Sequence, residues 1–405
     1  MVEVTWASFG ETVDGREVTR YRLENSSGMV LSVLDYGCTI QSVMVPDKSG
    51  RLTDVVLGYD DIAGYEAGTA YFGAFVGRYA NRIRRSEFEL NGRIYRLVPN
   101  DGENHLHGNF SKEIFAADVL PDGVVFRRTS PDGEEGFPGR LEVEVVCRLT
   151  DDNSILLEYK AVSDADTVLN LTNHSYFNLN GSGTILGHML KLRSDSFTEI
   201  GVGTIPTGRI LPVEGTPFDF RTWKRIGERI DCGHPQLKLG NGYDHNYVLA
   251  EYGRAGDGAA EPDGAVKFYS MADLDGTAKP CGAAESNGMA EHEGPAEPYE
   301  EAGRVVDAYD GMKKFAEIEG DESGIRMECF TTQPGVQLYT GNFVDVDARA
   351  AGKGGVVYPR RAGVCFETQH YPCSPNFPEF PSAVLRAGEE YRQKTVYRFS
   401  VGNSH

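Results

Sequence analysis

From Leu141 to Leu149 the chain alternates. Leu141, Val143, Val145, Cys147 and Leu149 are apolar, and the positions between them are mostly charged. Successive side chains of an extended backbone point to opposite faces, so this spacing predicts a half-buried strand. Asp151, Asp152 and Asn153 supply a turn, and Ile155, Leu157, Tyr159 and Ala161 resume the alternation, which predicts an antiparallel hairpin. Short strands are expected at Met29 to Leu34, Thr39 to Pro46 and Asp54 to Leu57, and a last one at Lys394 to Val401. A further hairpin should turn on Asn91 and Gly92, because an Asn-Gly pair accepts the positive φ of a tight turn. One short helix is expected around Phe220 to Ile230. More than a dozen strand-like pieces against one or two short helices predict an all-β protein, a large antiparallel β-sandwich. It is read as a single domain over residues 1–405. An insertion interrupts it at about 251–313, where Gly, Ala, Asp and Glu dominate and little apolar surface is left to bury.

Composition narrows the partners. With 405 residues, 40% of them hydrophobic, the chain is long enough for a large core, and its formal net charge of -20 disfavours nucleic acid and anionic membrane surfaces, which need a basic face. A neutral small molecule stays open. The opening MVEVTWASFGETVDG has neither a basic nor an apolar leader region, and no apolar run approaches a membrane span, so the cytoplasm is the expected location. Cys38, Cys147, Cys232, Cys281, Cys329, Cys365 and Cys373 are odd in number, scattered and never spaced as CxxC, which predicts reduced thiols and neither a zinc site nor a disulfide framework. No Gly-rich phosphate loop, Walker motif or GxSxG elbow is present, which argues against phosphoryl transfer and serine hydrolysis.

Candidate chemistry gathers on polar strand faces. In Thr167 to His174, Leu169 and Leu171 alternate with Asn170, Thr172 and His174, and in GVCFETQ at 363–369, Val364 and Phe366 oppose Glu367 and Gln369. A histidine and a carboxylate so placed suit a general acid and a general base; a core histidine bonded to backbone is the plainer reading of His174. Gln337 falls on the face opposite Val336 and Leu338. The segment YFGAFVGRYANRIRR carries Arg78, Asn81, Arg82, Arg84 and Arg85, either as a solvated edge or with Asn81 and Arg82 as donors to sugar hydroxyls. His105 and His107 flank Leu106 and would share one face if extended; with Glu113 they also fit a cupin-like metal set, although no fourth ligand is evident. Asp244 lies between a Gly-bearing turn and a strand, as a turn stabiliser or as an acceptor for sugar hydroxyls.

Seven segments in order resemble the aldose 1-epimerase (galactose mutarotase) family: GRYANRI at 77–83, NHLHG at 104–108, GFPGRLEV at 136–143, LNLTNHSYFNLNG at 169–181, YDHNYVL at 243–249, TTQPGVQLYTGNF at 331–343 and GVCFETQ at 363–369. The resemblance covers about Val30 to Leu249 and Phe315 to Val401. It implies a β-supersandwich with an open sugar cleft and a reaction that uses neither metal nor cofactor. It implies Glu367 as base and His174 as acid, with Asn81, Arg82, His107, Asp244 and Gln337 around the sugar. The expected substrate is a free aldohexose such as glucose or galactose, and the expected assembly a monomer or weak dimer.

Two departures stand out. After NHLHG the family usually continues with a Gly and a Gly-Phe pair, where this chain has Asn109, Phe110, Ser111 and Lys112, and the acidic insertion after Leu249 is atypical. Three other readings remain. A retaining glycosidase would use Glu367 and Asp244 with carboxyls about 5–5.5 Å apart. A hexose-6-phosphate 1-epimerase would need a basic pocket from Arg78, Arg82, Arg84 and Arg85. A non-catalytic sugar-binding module would have no use for both His174 and Glu367.

Overall fold

The computed structural model describes residues 2–249, 309 and 311–402; the expected insertion lies almost wholly outside the described residues, as does Cys281. Alternation is realised most fully in a nine-stranded sheet. Its strands run, in spatial order, Ala116–Leu120, Gly123–Ser130, Leu141–Leu149, Ser154–Ser163, Glu390–Val401, Ile325–Thr331, Lys313–Glu319, Met189–Leu192 and Lys224–Arg225. A six-stranded sheet follows the order Tyr176–Phe177, Val364–Gln369, Gly335–Tyr339, Asp244–Val248, Ser196–Ile200 and Pro206–Pro212. A five-stranded sheet takes its strands from between Glu3 and Asp54. Strands on either side of the undescribed segment therefore join the same framework. No helix among the described residues is long and apolar enough to cross a membrane.

The two larger sheets face each other across the main core. His245, Tyr247, Val336, Leu338, Val364 and Phe366 lie on one face of the six-stranded sheet, and all but His245 enter the core cluster with Tyr159, Tyr397 and Phe399. The Tyr397 hydroxyl donates to the Phe366 carbonyl at 3.0 Å and ties the layers together. The same period of two leaves Asp244, Gln337, Tyr339, Cys365 and Glu367 on the opposite face, where they pair in register as Asp244 with Tyr339, Tyr339 with Cys365, and Gln337 with Glu367. That polar face is the floor of the site.

Several sequence expectations change. Phe220 to Ile230 is not a helix but a two-residue strand at Lys224–Arg225 followed by a single 3-10 turn at Ile226–Glu228. Phe220, Ile226 and Ile230 still enter the core, but they are too sparse to form a helical stripe. The opening hairpin Glu3–Glu11 and Glu17–Glu24 was not expected, because Glu3–Glu11 is largely exposed and lacks a buried face. The strand near 54 is Leu52–Asp54 rather than Asp54 to Leu57. The Asn91 and Gly92 hairpin is present, with φ of 53° and 73°. Cys38, Cys147, Cys329, Cys365 and Cys373 are free and buried.

Arg78, read from the sequence as part of a solvated edge or of a phosphate pocket, is instead a buttress. It is 2% exposed, and its guanidinium donates to the Ser130 hydroxyl and carbonyl and to the Pro131 and Pro138 carbonyls at 2.7–3.0 Å. Replacing it with Ala strands these buried acceptors, so Arg78→Ala is expected to cost about 3–5 kcal/mol, read as a lowered urea midpoint with an unchanged slope; a loss below about 1 kcal/mol would contradict this role.

Candidate active site

His174 stands at the end of a short strand, Thr172–Asn173, that pairs with Phe75–Val76. Its amide donates to the Ala74 carbonyl at 2.8 Å and its carbonyl accepts from the Gly73 amide at 3.1 Å. Asn173 donates to the Gly73 carbonyl at 2.8 Å and accepts from the Ser175 amide and hydroxyl, so the polar neighbours of His174 hold the backbone at that corner. Glu367 comes from the middle of Val364–Gln369. Its Oε2 lies 3.6 Å from His174 Nε2, and both side chains are almost fully buried. The two side chains singled out in the sequence therefore meet, although the expected strand Thr167 to His174 is broken into Thr167–Val168 and Thr172–Asn173 and His174 lies just past its end.

A cavity of about 500 Å³ opens in front of this pair, lined also by Asn81, Arg82, His107 and Asp244 and, unforeseen from the sequence, by Tyr71, Asp101, Tyr176, Tyr339 and Asp347. Asn81 and His107 both take left-handed backbone conformations, with φ of 65° and 64°, which asparagine and histidine enter more readily than most residues. They lock each other. The Asn81 amide donates to His107 Nδ1 at 3.1 Å, and the His107 amide donates to the Asn81 carbonyl at 3.2 Å. The turn at His107 also separates it from His105, so the one-face HxH expectation fails. His105 points away, its Nδ1 2.7 Å from the Val98 carbonyl and its Nε2 3.8 Å from Glu135.

Arg82 Nε donates to Asp101 at 2.7 Å beside the cavity. Arg84 lies over the Phe377 ring, and Arg78 is buried elsewhere. Arg82 is thus the one Lys or Arg among the lining residues, against Asp101, Glu103, Asp244, Asp347 and Glu367. Among the described residues the basic pocket that a sugar phosphate would need is not formed. Gln337 is buried and does not line the cavity; its amide donates to Asp244 Oδ1 at 2.6 Å, so it reaches the site through Asp244. The segment after NHLHG is a 3-10 turn, Phe110–Lys112. Asn109 donates to Glu134 at 3.1 Å, Phe110 stacks on Phe75, and the Lys112 ammonium caps the Tyr65 and Gly68 carbonyls at 2.5 and 3.0 Å.

Burial sets the protonation of the site. It lowers the His174 pKa to about 4 and holds His107 well below the ordinary imidazole range. Burial, reinforced by the nearby Asp244 carboxylate and opposed by Arg82, pushes Glu367 well above the ordinary carboxylate range. Asp244 is itself raised by burial, against the pull of Arg82 and the Gln337 hydrogen bond. Burial thus disfavours the charged form of both groups and shifts the pair's proton from His174 toward Glu367.

Among the described residues, His107, His174 and Glu367 offer donor atoms within 4.8 Å of one another. The cupin-like set of His105, His107 and Glu113 does not form, since His105 is turned away. The trio also fits a cation poorly. Because His107 Nδ1 accepts the Asn81 amide, the neutral ring carries its proton on Nε2, which makes that nitrogen a donor rather than a ligand.

The aldose 1-epimerase family model matches residues 19–271 and 295–398. Galactose mutarotase from Mus musculus is 38% identical over 99% of this chain and 100% of its own length, and that from Homo sapiens 37% over 99% and 100%. The aldose 1-epimerase of Escherichia coli is 31% identical over 95% of this chain and 96% of its own. A solved aldose epimerase homologue from C. elegans superposes with a TM-score of 0.74 at 27% identity, covering 99% of this chain and 100% of that one.

These environments predict a titration. Followed by NMR of the ring carbons and nitrogens, His174 takes up its proton near pH 4 and His107 well below the ordinary imidazole range, with the His107 proton on Nε2. A midpoint near 6.5 for either ring would contradict the dry pocket.

Proposed function

The chain belongs to the aldose 1-epimerase family and is a mutarotase, and from that premise we propose that Glu367 is the base and His174 the acid that open and reclose the ring of a free aldohexose such as glucose or galactose. The observation that carries the assignment is the 3.6 Å approach of His174 Nε2 to Glu367 Oε2 at the wall of the cavity. Glu367 takes the proton of the anomeric hydroxyl while His174 gives one to the ring oxygen. The bond from the anomeric carbon to the ring oxygen breaks, leaving an aldehyde. Rotation about the bond between the first two carbons presents the other carbonyl face, and closure with both transfers reversed yields the other anomer.

The proton count supports this reading. One proton on the pair is enough for the reaction, because each direction gives one proton and takes one. In the empty pocket burial favours the uncharged pair, whereas ring opening starts from the carboxylate and the imidazolium. Ring opening therefore removes two opposite charges from a dry site, a direction that low dielectric favours. Substrate hydroxyls must in turn stabilise the charged pair at the start. Two positioned acid and base groups, each worth about 10²- to 10⁴-fold, match a reaction that already proceeds slowly in water.

Arg82, Asn81, Asp244 and the His107 Nε2 proton supply donors and acceptors for ring hydroxyls, with Gln337 holding Asp244 in place. Tyr71, Tyr176 and Tyr339 offer ring faces to the apolar side of the sugar. The acidic lining favours a neutral hexose over its 6-phosphate. The cytoplasm, where free hexoses are metabolised, is the compartment this reading assigns.

Polarimetry on freshly dissolved α-D-glucose, α-D-galactose and their 6-phosphates is expected to show faster equilibration of the free sugars only. Glu367→Gln should lower kcat by about 10²-fold or more while leaving sugar affinity within a few-fold; near-normal turnover would remove Glu367 from the mechanism. Activity should fall on both sides of a plateau. Below the His174 pKa of about 4 both groups are protonated and no base remains, and above the raised Glu367 pKa both are deprotonated and no acid remains. A single-sided profile centred near 6.5 would contradict the shared proton.

A further inference from the structure

Cys365 and Glu367 are two residues apart on the strand Val364–Gln369 and so share a face, about 6.6–6.8 Å apart along the backbone. Both reach the same imidazole. His174 Nε2 lies 3.6 Å from Glu367 Oε2, and His174 Nδ1 lies 3.6 Å from Cys365 Sγ. One strand therefore brackets the ring, with a carboxyl at one nitrogen and a free thiol at the other. Cys365 is fully buried and is fixed in register between Tyr176 and Tyr339. Burial, reinforced by the Glu367 and Asp244 carboxylates, pushes its thiol well above the ordinary range, so the group beside Nδ1 is a neutral S–H rather than a thiolate.

The two neutral forms of the ring have different consequences. With its proton on Nε2, the ring presents no lone pair to Glu367, and the carboxylate and imidazolium that start ring opening cannot form by direct transfer. With its proton on Nδ1, Nε2 takes the Glu367 proton directly, and giving that proton to the sugar ring oxygen restores the same form. Nδ1 then stays protonated throughout turnover and needs an acceptor. Sulfur is a weak one. A carboxylate or carbonyl in its place raises the basicity of the ring and holds the imidazolium proton back, whereas sulfur orients the ring without making it a poorer acid. His107 has the reverse arrangement, since its Nδ1 faces the Asn81 amide.

We propose that Cys365 is a positioning residue for the mutarotation: its sulfur accepts the Nδ1 proton of His174 and so leaves Nε2, the nitrogen facing Glu367, to give and regain the working proton. This rests on the reading of His174 as the acid. The other groups around the ring are Tyr71, His107, Tyr176 and Tyr339. Burial keeps the three phenols protonated and His107 neutral at neutral pH, so none of them adds a charge.

The test combines nitrogen NMR of labelled histidine, assigned with His174→Gln, and polarimetry on α-D-galactose. At pH 7 the wild-type His174 ring should carry its proton on Nδ1. Cys365→Ala should move it to Nε2 and lower kcat about 10- to 100-fold with KM within about twofold. Cys365→Ser supplies a hydroxyl acceptor; it should restore the Nδ1 proton and bring kcat to within a few-fold of wild type. Because that hydroxyl is the stronger acceptor, the acid limb of its pH profile should lie above the wild-type one. A wild-type ring protonated on Nε2 overturns the proposal. So does Cys365→Ala with tautomer and kcat unchanged, as expected if the ring's own backbone, which also favours its protonated form, were enough. A fall in kcat and thermal midpoint with the tautomer unmoved, or a serine variant no better than alanine, shows a packing role only and also overturns it. Should the alanine variant not fold, the wild-type and serine spectra decide. Near-normal turnover by Glu367→Gln would instead count against the acid and base assignment, and the tautomer readings would still decide whether Cys365 holds His174.

Discussion

Two buried ionisable groups, 3.6 Å apart at the wall of the cavity, form the constraint on which this site depends. Neither Glu367 nor His174 keeps its ordinary affinity for a proton, and the cause is the same for both: the charged form of each is penalised by burial. The opposite directions of the two shifts move the pair's proton from His174 toward Glu367, and one proton on the pair is the number that anomer exchange needs.

Keeping such a pair buried falls to the surrounding framework. The six-stranded sheet presents an apolar face to the main core and a polar face to the cavity, so a single alternation both anchors the sheet and supplies Glu367, Asp244 and Gln337. The opposite wall combines tight turns with the short ladder of Arg82–Ile83 and His105–Leu106. Asn81, His107 and Tyr71 all have left-handed backbones there, and Arg78, bound to Ser130, Pro131 and Pro138, secures the loop that carries Glu134, the partner of Asn109. Strained turns on a rigid support are a common way for a protein to fix the direction of a side chain at a site.

Chemical selectivity follows from the same arrangement. The one guanidinium at the cavity is paired with Asp101, and the remaining formal charges on the wall are acidic. A ligand that brings its own negative charge meets repulsion there, while hydroxyl groups meet a balanced set of donors and acceptors. The fixed tautomer of His107 belongs to this set, since the Asn81 amide decides which ring nitrogen presents a proton to the ligand.

Period-two alternation and the Asn-Gly turn were enough, read along the chain alone, to give an all-β sandwich and to put His174, Glu367 and Gln337 on polar faces, while the family resemblance of the ordered motifs added Asn81, Arg82, His107 and Asp244 around the sugar. These are local properties, because a side chain's face in a strand depends only on its parity and a turn on the conformational preferences of two or three residues. Tertiary structure alone decided that Glu367 and His174 meet, that Gln337 works through Asp244, that Arg78 is buried while Arg82 faces the cavity, and that Tyr71 joins the wall. Which strands pair, in what register, and how much water each group loses depend on atoms far apart in the chain, and no local pattern encodes those distances or the proton affinities that follow from them.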